Sequence, residues 1–240
     1  MRNVKSSPRT LAEALNKAER LQASLSSRLS TYRDETRRIR PDFAKVYDEL
    51  IARLGVLDRG EVGPKVGERM PDFTLPDANG KLVSLSFLLQ SGPAAISFNR
   101  GHWCPYCKLE FRSLAAIHGE IRKLGARIVS IMPDSAQFTG DYARKNELPF
   151  PILSDTDLGY SLSVGLIFWV GAEIRQMYED VGVELEKYHG NRGSFLPMAA
   201  KFIVGQDGLV KARQVNIEFR ERMEPEAIVA VLKQLRRTRS

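Results

Sequence analysis

Residues 95–114 read AISFNRGHWCPYCKLEFRSL, and the fold is decided there. Ala95-Ile96-Ser97-Phe98 is a short apolar run of the kind that forms a buried strand. Asn99-Arg100-Gly101-His102-Trp103 follows, and Gly101 permits a tight turn. Cys104-Pro105-Tyr106-Cys107 then opens a helix-like stretch. Pro105 suits the first helical position, where its missing N–H costs nothing. Cys104 is therefore expected at or just before the helix N-terminus, with Cys107 about one turn inside. Unpaired amides and the helix dipole favour a thiolate at such a place. That environment lowers a cysteine pKa below its free value of about 8.5, and Arg100 and Lys108 add positive potential. A spacing of three puts both sulfurs on one helical face, where they can close a disulfide with little backbone movement.

Outward from this junction, strands and helices alternate. Phe73, Leu75, Leu82, Val83 and Leu85 flank Asp77-Ala78-Asn79-Gly80 and predict a hairpin. Arg127 to Met132 predicts a further strand. Ala199 to Val204 and Leu209 to Val215, around Gln206-Asp207-Gly208, predict a second hairpin. Pro225 opens a last helix with Ile228, Val231, Leu232 and Leu235 on one face. This order gives an α/β domain with a mixed central sheet.

Residues 1–60 read as a helical extension. Thr10 and Glu13 form a capping-box pattern. Leu11, Leu15, Ala18, Leu21, Leu25, Leu29 and Tyr32 then make one stripe of a long helix. Pro41 starts a second helix whose apolar face is Phe43, Val46, Tyr47, Leu50, Ile51 and Leu54, with Gly55 as its C-cap. These faces either pack on the chain's own core or serve a partner, such as a homodimer. Glycines, a proline and charges in 58–70 mark a linker, so the expected domains are 1–60 and 61–240.

Composition narrows the function classes. The 240 residues are 43% hydrophobic and 27% charged, ordinary for a globular protein. No apolar run is long enough to span a membrane. The N-terminus lacks an apolar h-region and a cleavage site, so a cytoplasmic location is expected. The net charge is +7, but its dense spots, Arg37, Arg38 and Arg40 and the tail Arg236, Arg237 and Arg239, are short and free of aromatics. Nucleic acid is not an expected partner. The chain has two cysteines, and no second C-x-x-C joins His102, His118 and His189 to complete a zinc site. Neither metal nor cofactor is expected. Redox chemistry is preferred to a pair of inert buried thiols, because a helix N-terminus suits a reactive thiol.

The wider context is similar to a known family. W-C-P-Y-C after a strand resembles the thioredoxin and glutaredoxin active site. V-G-E-R-M-P-D-F-T-L-P-D-A-N-G (66–80), S-F-N-R-G-H-W-C-P-Y-C-K-L-E (97–110), and F-P-I-L-S-D (150–155) followed by V-G-L (164–166) resemble the peroxiredoxin-like branch of the AhpC/TSA family. The resemblance implies a thioredoxin-like fold and a thiol peroxidase that reduces hydrogen peroxide and organic hydroperoxides, with thioredoxin or a similar thiol as reductant. It implies a sulfenic acid that condenses to a disulfide. The family's P-x-x-x-T-x-x-C pattern puts the peroxidatic cysteine at Cys107 and Cys104 in the threonine's place, as the resolving thiol. Thioredoxin logic reverses these roles. Arg100 takes the place of a peroxide-orienting arginine, with Arg192 as a second candidate. Trp103 would shield the sulfurs, and Pro197 would form a cis peptide beside them. A glutaredoxin- or thioredoxin-like protein disulfide oxidoreductase and a non-enzymatic redox sensor are the alternatives.

Overall fold

A computed structural model describes residues 7–57 and 62–238. Three helices come first, α1 (Leu11–Arg20), α2 (Leu25–Ile39) and α3 (Pro41–Leu57). There follow β1 (Thr74–Pro76), β2 (Leu82–Ser84), α4 (Leu85–Gln90), β3 (Ala94–Phe98), α5 (Pro105–Lys123) and β4 (Arg127–Met132). The chain continues through α6 (Ala136–Lys145), β5 (Ile152–Ser154), α7 (Gly159–Ser163), β6 (Ile167–Trp169), α8 (Ala172–Glu179) and α9 (Leu185–His189). It closes with β7 (Phe195–Pro197), β8 (Ala200–Val204), β9 (Val210–Val215) and α10 (Pro225–Arg237).

The central sheet has the order β5-β4-β3-β8-β9. β3, β4 and β5 are parallel, β8 runs antiparallel to β3, and β9 runs antiparallel to β8, so the sheet is mixed as expected. Every residue of β3 is buried, which is why its sequence is a continuous apolar run rather than an alternating one. Both expected hairpins form. In the first, the Asp77 carboxylate accepts from the amides of Asn79 and Lys81, and Gly80 takes φ 77°.

The N-terminal helices depart from the expected single long rod. Leu21 is extended (φ −70°, ψ 122°), which ends α1, and α2 restarts at Ser24. The Ser24 hydroxyl accepts from the Ser27 amide, while the Glu224 carboxylate accepts from Leu25 and Ser26. A carboxylate from the far end of the chain thus fills the new helix's anion position. Gly55 is not a C-cap: it lies within α3, where a Cβ would stand 3.3 Å from Ile217 Cδ1. Part of the expected linker, 58–61, lies outside the described residues. Beyond it, Met70 is buried and its amide donates to Gly208, which ties the segment to the β8–β9 hairpin.

α5 and α10 pack together beside β4 and β8, and α2 lies on α5. Ala14, Ala18, Leu25, Leu29, Tyr32, Phe43 and Leu50 are buried within the same hydrophobic core as the sheet. Arg28 donates to Ser113 Oγ at 2.9 Å, and Tyr32 meets Tyr106 edge-on at 5.2 Å. The N-terminal arginines are held by carboxylates: Arg37 by Asp48, Arg38 by Glu35, and Arg40 by Asp42. Among the described residues, no helix is long and apolar enough to cross a membrane.

Leu29→Ala should lower stability in urea by about 2–4 kcal/mol, the cost of a buried leucine cavity. Tryptophan fluorescence and far-UV circular dichroism should lose their native signals together. A loss below about 0.5 kcal/mol, the scale of a surface change, or an earlier helical transition, would show that α2 is not part of this core.

Candidate active site

β3 delivers the chain to the site, and Asn99 anchors the turn. Its amide donates to Ile131 O, and its side chain donates to Ser97 Oγ at 2.8 Å and Ser130 Oγ at 2.9 Å. Gly101 has φ 145°, and a Cβ there would fall 2.3 Å from Trp103 Nε1, so no side chain fits. Asp134, wholly buried at the end of β4, clamps the next residue. It accepts from the His102 amide at 2.6 Å and pairs with His102 Nδ1 at 2.9 Å. His189 approaches the other Asp134 oxygen at 3.5 Å. Burial pulls His189 below the usual histidine range; Asp134 opposes that shift and His102 adds to it.

Cys104 is the N-cap residue of α5 and Pro105 is its first residue, as the sequence implies. Cys107 lies inside the first turn, and both thiols are free. Exposure is 1% for Cys104 and 0% for Cys107. The surroundings are nonetheless charged. Arg100 is 1% exposed, not the solvated surface charge that its type would suggest. It donates to Tyr178 Oη, and its guanidinium carbon stands 3.9 Å above the Phe219 ring and 5.5 Å from that of Trp103. Among the described residues it has no carboxylate partner.

Sequence reading missed a second buried cation. Arg222 comes from the loop before α10, and its Nη2 lies 3.9 Å from Cys107 Sγ. Its Nε donates to Glu110 Oε2 at 2.9 Å. Glu110 Oε1 pairs with Lys201 Nζ at 2.5 Å and accepts from Ser97 Oγ. All three charged side chains are buried, and two cations share one carboxylate. No local pattern marks Arg222, which is 115 residues from Cys107 in sequence. Lys201 does carry a faint signal, as a charge inside the otherwise apolar run 199–204.

These charges act on the thiols unequally. Burial opposes ionisation of Cys104, but a hydrogen bond from the Cys107 thiol and the charges of Arg100 and Arg222 prevail, bringing it down to about 6. Burial pushes Cys107 well up, the hydrogen bond and charge of Cys104 raise it further, and Arg222 opposes the shift while Glu110 adds to it. The two thiols titrate as a pair. One proton leaves readily, and the remaining one stays on Cys107.

The other expected site residues divide. Trp103 is half-buried and tilts against Tyr178 at 4.9 Å. Arg192 is far from this role: its side chain is 88% exposed and pairs with Glu186. Pro197 does not form the expected cis peptide; no described residue has one. It lies in the β6–β7 ribbon opposite Ile167, while the next amide, Met198, donates to Leu166 O. That register puts Pro197 at a position where no ladder bond needs its N–H, so an ordinary trans strand accommodates it.

Known proteins are similar to this chain in sequence and fold. Peroxiredoxin Q of Sedum lineare is 34% identical over 89 residues, which cover 37% of this chain and 47% of that protein. The thiol-disulfide oxidoreductase ResA of Bacillus subtilis is 33% identical over 92 residues, covering 38% of this chain and 50% of that protein. The matched segment thus spans about half the length of these curated relatives. In three dimensions, peroxidoxin BcpB of Mycobacterium tuberculosis superposes with a TM-score of 0.56 at 21% identity, over 71% of this chain and 97% of that one. The likeness establishes the thioredoxin-like fold of the peroxiredoxins. The AhpC/TSA family profile matches residues 66–213, most of the chain, and the protein belongs to the AhpC/TSA family.

Proposed function

We propose that the protein is a thiol-dependent peroxidase in which Cys104 attacks the peroxide and Cys107 resolves the product. One observation carries this reading: a guanidinium with no carboxylate partner among the described residues is buried beside a cysteine pair that readily gives up one proton. The Cys104 thiolate attacks one oxygen of the O–O bond. An S–O bond forms, the O–O bond breaks, and the departing oxygen leaves as water or an alcohol after taking a proton. Cys104 is then a sulfenic acid. The Cys107 thiol attacks that sulfur, an S–S bond forms, and water carries off the hydroxyl group and the Cys107 proton. An external dithiol of thioredoxin type returns two electrons and two protons by exchange.

This assignment reverses the roles that the family's Thr-to-Cys spacing implies. Its support is electrostatic. Cys104 occupies the helix N-terminus and is favoured as a thiolate by Arg100 and Arg222, whereas burial and the neighbouring Cys104 hold Cys107 protonated although Arg222 stands beside it. Arg100 would also steady the charge developing on the departing oxygen. A protein reductant must touch a sulfur, so the re-reduction step requires the aromatic cover over the pair to lift.

A second reading has its own support. C-P-Y-C and the likeness to ResA suit a protein disulfide oxidoreductase. Thioredoxin-coupled NADPH oxidation with peroxide but not with insulin disulfides favours the peroxidase; the converse favours the oxidoreductase.

Peroxide treatment of Cys107→Ser should leave a dimedone-reactive sulfenic acid on Cys104, and Cys104→Ser should be oxidised at least 100-fold more slowly than wild type. Rapid labelling of Cys107 in Cys104→Ser would reverse the roles. Because the thiolate is the reacting form, the peroxide oxidation rate should rise as pH climbs through about 6 and then level off. In Arg100→Gln the midpoint should move towards about 8.5, the free cysteine value. A midpoint identical in both proteins would remove Arg100 from the mechanism.

A further inference from the structure

Between β6 and β7 the chain makes an excursion away from the sheet and returns. The two strands form an antiparallel ribbon of their own, from Ile167 opposite Pro197 to Trp169 opposite Phe195. The excursion they carry, α8 and α9, is entered through Gly171 (φ 89°) and left through Gly190 (φ 72°) and Ser194 (φ 50°). Turning points of this kind at both ends of a segment are where a hinge can absorb a change of direction. The exposed ion pairs Arg175–Glu179, Lys187–Glu184 and Arg192–Glu186 all lie inside the segment, so none has to break if it moves.

The inner side of the segment covers the site. Tyr178 is buried, accepts a hydrogen bond from Arg100, and its ring lies 4.9 Å from that of Trp103. Ile174, Met177 and Leu185 are buried beside it. The far end is fastened lightly. Tyr188 O accepts from the Ser135 amide at 2.8 Å, and the Asn191 side chain donates to Thr156 O at 2.8 Å. His189 Nε2 and Asp134 Oδ1 stand 3.5 Å apart, both buried and neither hydrogen-bonded.

The charge balance under this cover depends on the redox state of the cysteines. While one thiolate is present, the Arg100 guanidinium has a counter-charge. When the pair is oxidised, an S–S bond forms, two electrons pass to the oxidant, and the negative charge is gone. Arg100 is then a buried cation with no carboxylate partner among the described residues, which is strongly unfavourable. Water reaching the guanidinium relieves that state. Tyr47, Trp103 and Phe219, which also surround it, belong to α3, the active-site turn and the segment before α10. Tyr178 belongs to the excursion with turning points at both ends.

We propose that residues 172–190 form a redox-released lid, held shut by the ionised cysteine pair through Arg100 and Tyr178 and opened when the pair becomes a disulfide. The inference rests on the disulfide of the proposed cycle, not on which sulfur attacks. The reduced thiolate stays covered, and a protein reductant gains access once there is a disulfide to reduce. The helix that carries the cysteines, α5, keeps its fold throughout.

Hydrogen exchange read by mass spectrometry tests this on the whole chain. The protein reduced with dithiothreitol is compared with protein oxidised by the azo compound diamide, which takes up the two electrons and two protons. Both are held at one pH above the first midpoint of the pair. Amides of 172–190 should exchange at least about tenfold faster in the oxidised form, with those of α5 unchanged. In Arg100→Gln the two redox forms should agree within about twofold. Tyr178→Phe keeps the charge and loses the latch, so its reduced form should already exchange faster than reduced wild type. Equal exchange in the two forms of wild type, or a gain confined to α5, overturns the proposal, as does a redox difference that persists in Arg100→Gln. Should Arg100→Gln not fold, Tyr178→Phe decides: a reduced form that exchanges like wild type rejects the latch. If diamide yields no internal disulfide, the lid and the proposed cycle fail together. If diamide opens the lid but no peroxide is turned over, the lid stands and the peroxidase reading alone fails.

Discussion

A guanidinium buried with no carboxylate partner among the described residues is the constraint on which the rest of this structure turns. Taking a cation out of water costs several kcal/mol unless something negative compensates it. Arg100 has a tyrosine hydroxyl and aromatic faces, which soften the cost through hydrogen bonding and cation–π attraction but supply no charge. Behind the helix, Lys201 and Arg222 share the single carboxylate of Glu110. The interior is thus short of negative charge at one place, and the group able to supply it is the Cys104–Cys107 pair. Stability and reactivity have the same origin here: the fold is electrostatically complete when a thiolate forms.

This arrangement explains what the N-terminal helices contribute. A cation held over rings is strong only if water is kept away, because solvent would screen it. Tyr47 from α3 and Phe219 from the segment before α10 close the cage around Arg100, and Tyr32 from α2 covers Tyr106 next to the cysteines. The helical region can therefore be read as part of the site's dielectric wall. Its cost is access, since both sulfurs are almost fully covered.

Much of the fold was legible because it depends on local chemistry. The Asn79-Gly80 turn, the apolar run of β3 and the Pro105 helix start each declare themselves within a few residues, and the resemblance carried by 66–80 and 150–155 extended them to a topology. The break between α1 and α2 was not legible: the apolar stripe continues unbroken through Leu21 and Leu25, and the Glu224 carboxylate that caps the new helix comes from 199 residues away. The site was legible in its nucleophiles and not in its electrostatics. Arg100 was legible as a charge beside the pair but not as a buried one, since nothing in the sequence places Tyr47, Tyr178 and Phe219 around it. Arg222, Lys201 and Asp134 meet the site only through the sheet order, and Pro197 was misread since a proline before a strand looks the same whether its peptide is cis or trans.

The central claim is that buried guanidinium charge selects Cys104, rather than Cys107, as the sulfur that ionises. The most direct measurement follows the ¹³Cβ resonances of labelled cysteine in the reduced protein across pH, assigned with the two single-serine variants. The account predicts that the Cys104 resonance moves with a midpoint near 6 while that of Cys107 stays unchanged to well above pH 9. A Cys107 resonance that moves first, or two cysteines titrating together near the free value of about 8.5, would contradict it.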